Sequence, residues 1–158
     1  MKFKTKTYVI STLVTFAVAG LSALLTSKNM DIYDRIAKPP FAPPGFLFPK
    51  AWAILYLIMA LSLARVIIKA RKDGIYVIPA VSSFALQLFF NFFWSVIFFN
   101  MQNFLLSFVW LLFLLAFVGN MILKFYKIDK ISALSNIPYF LWVCFAGVLN
   151  FAIYTLNK

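Results

Sequence analysis

Residues 104 to 123 read FLLSFVWLLFLLAFVGNMIL, an unbroken run from Phe104 to Leu123 with no charged side chain. A hydrocarbon core about 30 Å thick is crossed by roughly 20 apolar helical residues, and this stretch supplies that length. Working outward, the same reading recurs on both sides. Asn100-Met101-Gln102-Asn103 is a minimal polar turn, and before it lies a second apolar run from Tyr76 to Phe99 with Pro79 in its first turn. Two helices joined so tightly are antiparallel neighbours. Further upstream, Arg71-Lys72-Asp73-Gly74 closes a run opened by Pro49, where a first-turn proline is tolerated. Beyond Lys130, the final run carries Pro138 early. The chain thus predicts an all-α membrane protein, a five-transmembrane-helix bundle, with helices over about 8–26, 49–70, 76–99, 104–125 and 131–156. A single transmembrane domain covers 1–158.

Composition agrees. Of 158 residues, 64% are hydrophobic and 12% charged, against about a quarter charged in soluble domains. The net charge of +11 could mark a nucleic-acid footprint, but the basic residues fall in small groups between apolar runs, as topology signals do. Lipid headgroups are the expected counter-charge, and nucleic acid is not an expected partner. The N-terminus and the connections after helices two and four carry ten of the fifteen Lys and Arg, and the opposite side five. The positive-inside rule therefore places the N-terminus in the cytoplasm, and the first loop and C-terminus outside. Lys2, Lys4 and Lys6 before an apolar run resemble a secretory leader, but no cleavage site and polar mature chain follow, so the run reads as a retained helix.

Absences narrow the chemistry. The chain has no His, no Glu and one cysteine, Cys144, in an apolar run. That excludes internal disulfides, His or Cys metal clusters and His-based triads, so no metal and no cofactor is expected. The four acids, Asp31, Asp34, Asp73 and Asp129, all fall in expected loops, leaving no carboxylate inside the membrane for a proton relay.

The connection from Ser27 to Phe48 contains Lys38-Pro39-Pro40-Phe41-Ala42-Pro43-Pro44-Gly45. Such proline density cannot be mid-helix, and a connection this long is usually functional or disordered. Tyr33, Phe41, Phe46 and Phe48 predict a packed lid. In helix three, Gln87, Asn91, Trp94, Ser95 and Phe98 share one face. Polar groups in hydrocarbon need partners, so this stripe is either interhelical hydrogen-bonding glue or the wall of a ligand cavity. Tyr139, Trp142, Ala146 and Asn150 repeat the pattern in helix five, and Trp52 and Tyr56 adjoin the loop on helix two. Helix one carries a small-residue face at Thr15, Ala19 and Ala23, with Gly20 and Ser22 nearby. It fits packing within the chain and packing between chains equally well.

Taken in order, Tyr33-Asp34 with Lys38 to Pro44, Trp52 to Ala60, Gln87 to Ser95 and Pro138 to Asn150 resemble the TspO/MBR family, the tryptophan-rich sensory proteins related to the mitochondrial peripheral benzodiazepine receptor. The resemblance covers nearly the whole chain. It implies a five-helix bundle, commonly a homodimer, in a bacterial cell membrane, that binds a tetrapyrrole such as protoporphyrin IX or heme, or another flat hydrophobic small molecule, under the first loop. The residues it implies for the ligand are Tyr33, Trp52, Asn91, Trp142 and Ala146, with Pro43, Phe48, Gln87, Ser95 and Phe98 as weaker carry-overs. It leaves two further activities open: light- and oxygen-dependent porphyrin degradation, in which Trp52 and Trp142 would take part, and tetrapyrrole transport. No acid–base group supports the first, and no internal repeat or intramembrane charge supports the second. The chain departs from the family in having Ile32 and Phe41 where tryptophans are frequent. Phe151 and Thr155 stand where the mitochondrial sterol motif has Tyr and a basic residue, so sterol recognition through that motif is not implied.

Overall fold

The computed structural model describes residues 2–158, and among them every regular element is helical. Helix α1 spans Lys2–Thr26 and runs into a 3₁₀ turn, Ser27–Asn29. The short α2, Ile32–Arg35, lies in the first loop, and α3 covers Leu47–Lys72. Helix α4, Ile78–Ser95, continues through a π-helical turn at Val96–Asn100. Then come α5 at Phe104–Tyr126, α6 at Lys130–Ser135 and α7 at Ile137–Leu156. Five of the resulting helical stretches are long and apolar enough to cross a membrane. The chain is an integral membrane protein.

Differences from the expected bounds have local causes. Helix α1 starts at Lys2 rather than Tyr8, carrying its lysines on the first turns. The last span is divided: α6 ends at Ser135 and α7 begins at Ile137. Pro138 has no N–H to donate, and its ring crowds the carbonyl one turn back. Asn136 fills the break, donating from Nδ2 to the Ser132 carbonyl at 2.7 Å and to Ser62 Oγ on α3 at 2.8 Å. The turn between α4 and α5 is as tight as its sequence suggests. It places Gln102 at φ 52° in the left-handed region, and Asn103 caps α5 by accepting from the Leu106 amide at 3.0 Å.

Helix α5 packs against α4 and α7, and α1 against α3 and α4. Helix α1 is patterned opposite to a soluble helix. Its buried residues are Thr7, Ser11, Thr15, Ser22 and Thr26, while Leu13, Val14, Leu21 and Leu24 are exposed. Lipid makes the exposed apolar face favourable. The buried hydroxyls bond back one turn, Thr15 to the Ser11 carbonyl at 2.8 Å and Thr26 to that of Ser22 at 2.9 Å. The small-residue face thus turns inward, but Gly20 is not a point of close approach, since a Cβ there would meet nothing within 4 Å.

Candidate functional site

A cavity of about 950 Å³ lies at the end of the bundle that carries the first loop, walled by α1, the loop, α3, α4 and α7. Its surface is mostly apolar and aromatic. Ala19, Gly20 and Ala23 of α1 form a low wall, because their short side chains leave the volume open. Opposite stand Trp52 and Tyr56 of α3, Trp94, Ser95 and Phe98 of α4, and Ala146 of α7.

Trp52 is the centre of an aromatic group, with ring centroids 5.5 Å from Tyr56, 6.2 Å from Tyr139 and 6.4 Å from Trp94. Among the described residues, no hydrogen-bond partner is found for the Trp52 indole N–H or the Ser95 hydroxyl. Both residues line the cavity, so it has polar groups to offer without breaking an existing bond.

The loop over this cavity is a packed lid. Tyr33 is 6% exposed, and its hydroxyl donates to the Pro43 carbonyl at 2.8 Å. The Lys38 ammonium donates to the Tyr33 carbonyl at 2.8 Å and sits 4.7 Å from the Tyr33 ring centroid. The Tyr33 ring meets Phe48 edge-on at 5.1 Å, and Phe48 meets Trp142 at 6.0 Å. Burial, and then the neighbouring Asp34 carboxylate, push the Tyr33 phenol above its ordinary pKa, which keeps it a donor. Two further clamps fix the rim. Asn157, just past α7, pairs with the backbone of Ala37 in both directions, at 2.9 and 3.0 Å. Asn100 accepts from Asn29 at 2.8 Å and donates to the Leu25 carbonyl at 3.0 Å.

Of the ten residues expected at a site, Tyr33, Phe48, Trp52, Ser95, Phe98 and Ala146 line this cavity. Pro43 holds the lid through its carbonyl while the adjacent Pro44 reaches the wall. Gln87 and Asn91 lie deeper and are fully buried. The Asn91 amide accepts from Tyr56 at 2.7 Å and donates to Tyr139 at 2.9 Å, and Tyr139 donates to Gln87 Oε1 at 2.7 Å. These amides tie α3, α4 and α7 together, and they support the cavity through Tyr56 rather than facing it. Trp142 packs on Phe48 and on Phe145, 5.6 Å away, and its buried indole nitrogen has no hydrogen-bond partner among the described residues. Asn150 accepts from Trp94 at 3.1 Å and from Ser107 at 2.9 Å, fixing the orientation of the Trp94 indole.

Sequence reasoning did not find the contribution of α1 to this wall, because small residues on a membrane helix first suggest helix packing. Asp129 lies in the connection between α5 and α6, as expected, but its burial was not foreseen. The carboxylate is in fact 5% exposed, bound by Arg65 Nε at 3.0 Å and Ser132 Oγ at 2.5 Å, with Lys69 at 3.7 Å. The signal available was an Asp three residues before a Ser at a helix start, an N-cap spacing.

A family model described as the TspO/MBR family matches residues 11–156. Protein CrtK of Rhodobacter capsulatus is 35% identical over 144 residues, covering 91% of this chain and 89% of its own. Two proteins named tryptophan-rich protein TspO are similar to it as well. That of Chlorobaculum tepidum is 39% identical, over 79% of this chain and 78% of its own, and that of Archaeoglobus fulgidus is 36% identical, over 94% and 95%.

Proposed function

The chain belongs to the TspO/MBR family, and on that premise we propose that it binds a flat hydrophobic ligand, a tetrapyrrole such as protoporphyrin IX or heme, in the cavity beneath the first loop. The observation that carries this reading is the Trp52 side chain. It presents an indole with an unpaired N–H to an apolar cavity whose about 950 Å³ lies near the top of the range for small-molecule sites, roughly 300–1,000 Å³. Stacking on Trp52 and Phe98 holds the macrocycle, since aromatic faces gain from offset or edge contacts beyond simple burial. Ser95 and the Trp52 N–H orient it. Of the charged residues that line the cavity, Asp31, Asp34 and Lys38, Lys38 is the one that would take a tetrapyrrole carboxylate.

In this reading Trp142 joins the site when Phe48 and the lid shift, and its indole N–H then meets an acceptor on the ligand. Asn91 and Gln87 keep Tyr56 and Tyr139 in place behind the ring. The twofold excess of basic residues on the N-terminal side supports a topology with that side in the cytoplasm and the lid outside. Titrating purified protein with protoporphyrin IX while following tryptophan fluorescence tests the proposal. Saturable quenching in the wild type, weakened in Trp52→Leu and in Trp142→Ala, is expected. No quenching in the wild type, or equal affinity in both variants, overturns it.

A further inference from the structure

At the opposite end of the bundle, a second cleft of about 300 Å³ lies where the first turns of α1 meet the last turns of α3. Its polar and charged lining is Lys4, Tyr8, Arg65, Lys69, Lys72, Asp73 and Asp129. We propose that this cleft binds the phosphate group of an anionic phospholipid in the membrane leaflet on that side.

Four cations face two carboxylates here, Asp129 and Asp73, so the cleft keeps a net charge of +2. Asp129 is already held by Arg65 and Lys69 and is 5% exposed. Among the described residues, the Lys4 and Lys72 ammoniums have no ion-pair or hydrogen-bond partner. Asp129 takes only the Nε of Arg65, which leaves the two terminal nitrogens of the guanidinium for another acceptor. A phosphate offers paired oxygens in the geometry that fork prefers. The unpartnered Tyr8 hydroxyl adds a donor from the α1 side.

Ordinary helix electrostatics explain only half of this arrangement. Lys69, Arg71 and Lys72 in the last turn of α3 complement the negative end of its dipole. Lys2, Lys4 and Lys6 lie on the first turns of α1, which has no acid in its first turn, so they oppose its positive end. Topology bias accounts for cations on this side of the membrane, but not for a cleft that gathers them from two helices. Arg71 holds the end of α1 in place, its guanidinium 3.9 Å from the Phe3 ring centroid. Both contributing helices are membrane spans whose ends meet here, so the cleft stands at headgroup depth, where basic pockets between spans take anionic lipids.

Native mass spectrometry tests this, with full-length protein in detergent given equal amounts of phosphatidylglycerol and phosphatidylcholine, and in a separate arm inorganic phosphate. The wild type should retain phosphatidylglycerol preferentially, and Lys4→Gln/Lys72→Gln should lower that retention by about twenty-five-fold, about fivefold for each lysine. This pair leaves the Asp129 bridge to Arg65 intact. Lys124→Gln/Lys127→Gln, equal in charge change but outside the cleft, should keep the preference. Inorganic phosphate that binds the wild type and is lost in the cleft variant supports the site with free phosphate as the occupant. Equal retention of both lipids by the wild type, unchanged retention by the cleft variant, or equal loss in the control pair overturns the proposal.

Discussion

The Tyr33 hydroxyl donates to the Pro43 carbonyl across 2.8 Å, joining the start of the first loop to its proline-rich end. The eleven residues from Tyr33 to Pro43 thereby close into a ring, and the prolines inside it have little backbone freedom left to lose. The lid is stiff at its centre and fastened at its rim by Asn157 and Asn100. Opening it means breaking this bond and sliding Phe48 off Trp142.

Tyr33→Phe should therefore loosen the lid without unfolding the bundle. A net hydrogen bond is worth about 1 kcal/mol, roughly a fivefold change in an equilibrium. Hydrogen exchange at Ala42 and Leu47, whose amides bond to Pro39 and Pro44 at 3.0 Å, should quicken by that factor. Protoporphyrin should dissociate faster to a similar extent. Unchanged exchange would show that Lys38 and the ring contacts hold the lid alone.

Asn91→Leu should act on stability more than on affinity. The substitution leaves the Tyr56 hydroxyl without its acceptor and Tyr139 without a donor, both of them buried side chains. The expected cost is roughly 1–2 kcal/mol, the upper range for polar contacts between membrane helices, read as a lower thermal midpoint in detergent. Affinity for protoporphyrin should change less than in Trp52→Leu. A variant as stable as wild type that binds nothing would place Asn91 directly on the ligand.

Ala146→Phe should do the reverse. Ala146 is buried at the border between core and cavity, so a larger side chain can extend into the open volume of the cavity. Thermal stability should stay near that of wild type while protoporphyrin affinity falls by about tenfold or more, the equivalent of about 1.4 kcal/mol. Retained affinity would move the ligand away from α7.

How far this could be read from the chain depends on the range of the interactions. The five spans are legible because each is a property of its own apolar run, and the tight turn at Asn100 to Asn103 fixes one pairing outright. The polar stripe of α4 is legible as a stripe, but not its division of labour. Ser95 and Phe98 face the cavity while Gln87 and Asn91 face Tyr139, and that division depends on where α7 lies. Gln87 and Asn91 serve as glue between helices, while Ser95 and Phe98 border the cavity. The wall contributed by α1 is not legible, because Ala19 and Ala23 mark either close packing or open space until the neighbouring helix is placed. Asp129 is hidden for the same reason: Arg65, which balances it, is 64 positions away.

Asp129 also gives the protein a specific acid sensitivity. Burial alone would raise its carboxyl, but the hydrogen bonds from Ser132 and Arg65 and the Arg65 charge outweigh this and hold it below the usual carboxylate range. A carboxyl whose pKa is lowered on folding contributes stability above its unfolded value, near 4, and loses it as the pH falls through the lower folded value. The wild type should hold its thermal midpoint from neutral pH down to about pH 4 and decline below it. Asp129→Asn keeps the shape and removes the charge, so its profile should be flatter on the acid side. At neutral pH it should be less stable by only roughly 1–2 kcal/mol, the loss of the charged acceptor being limited because the half-exposed Arg65 can turn toward water. Ser132→Ala, which removes one of the stabilising bonds, should bring the folded carboxyl back toward its unfolded value and so make the acid decline shallower, with its onset unchanged near pH 4. Parallel profiles for wild type and Asp129→Asn would mean that another group sets the acid limit.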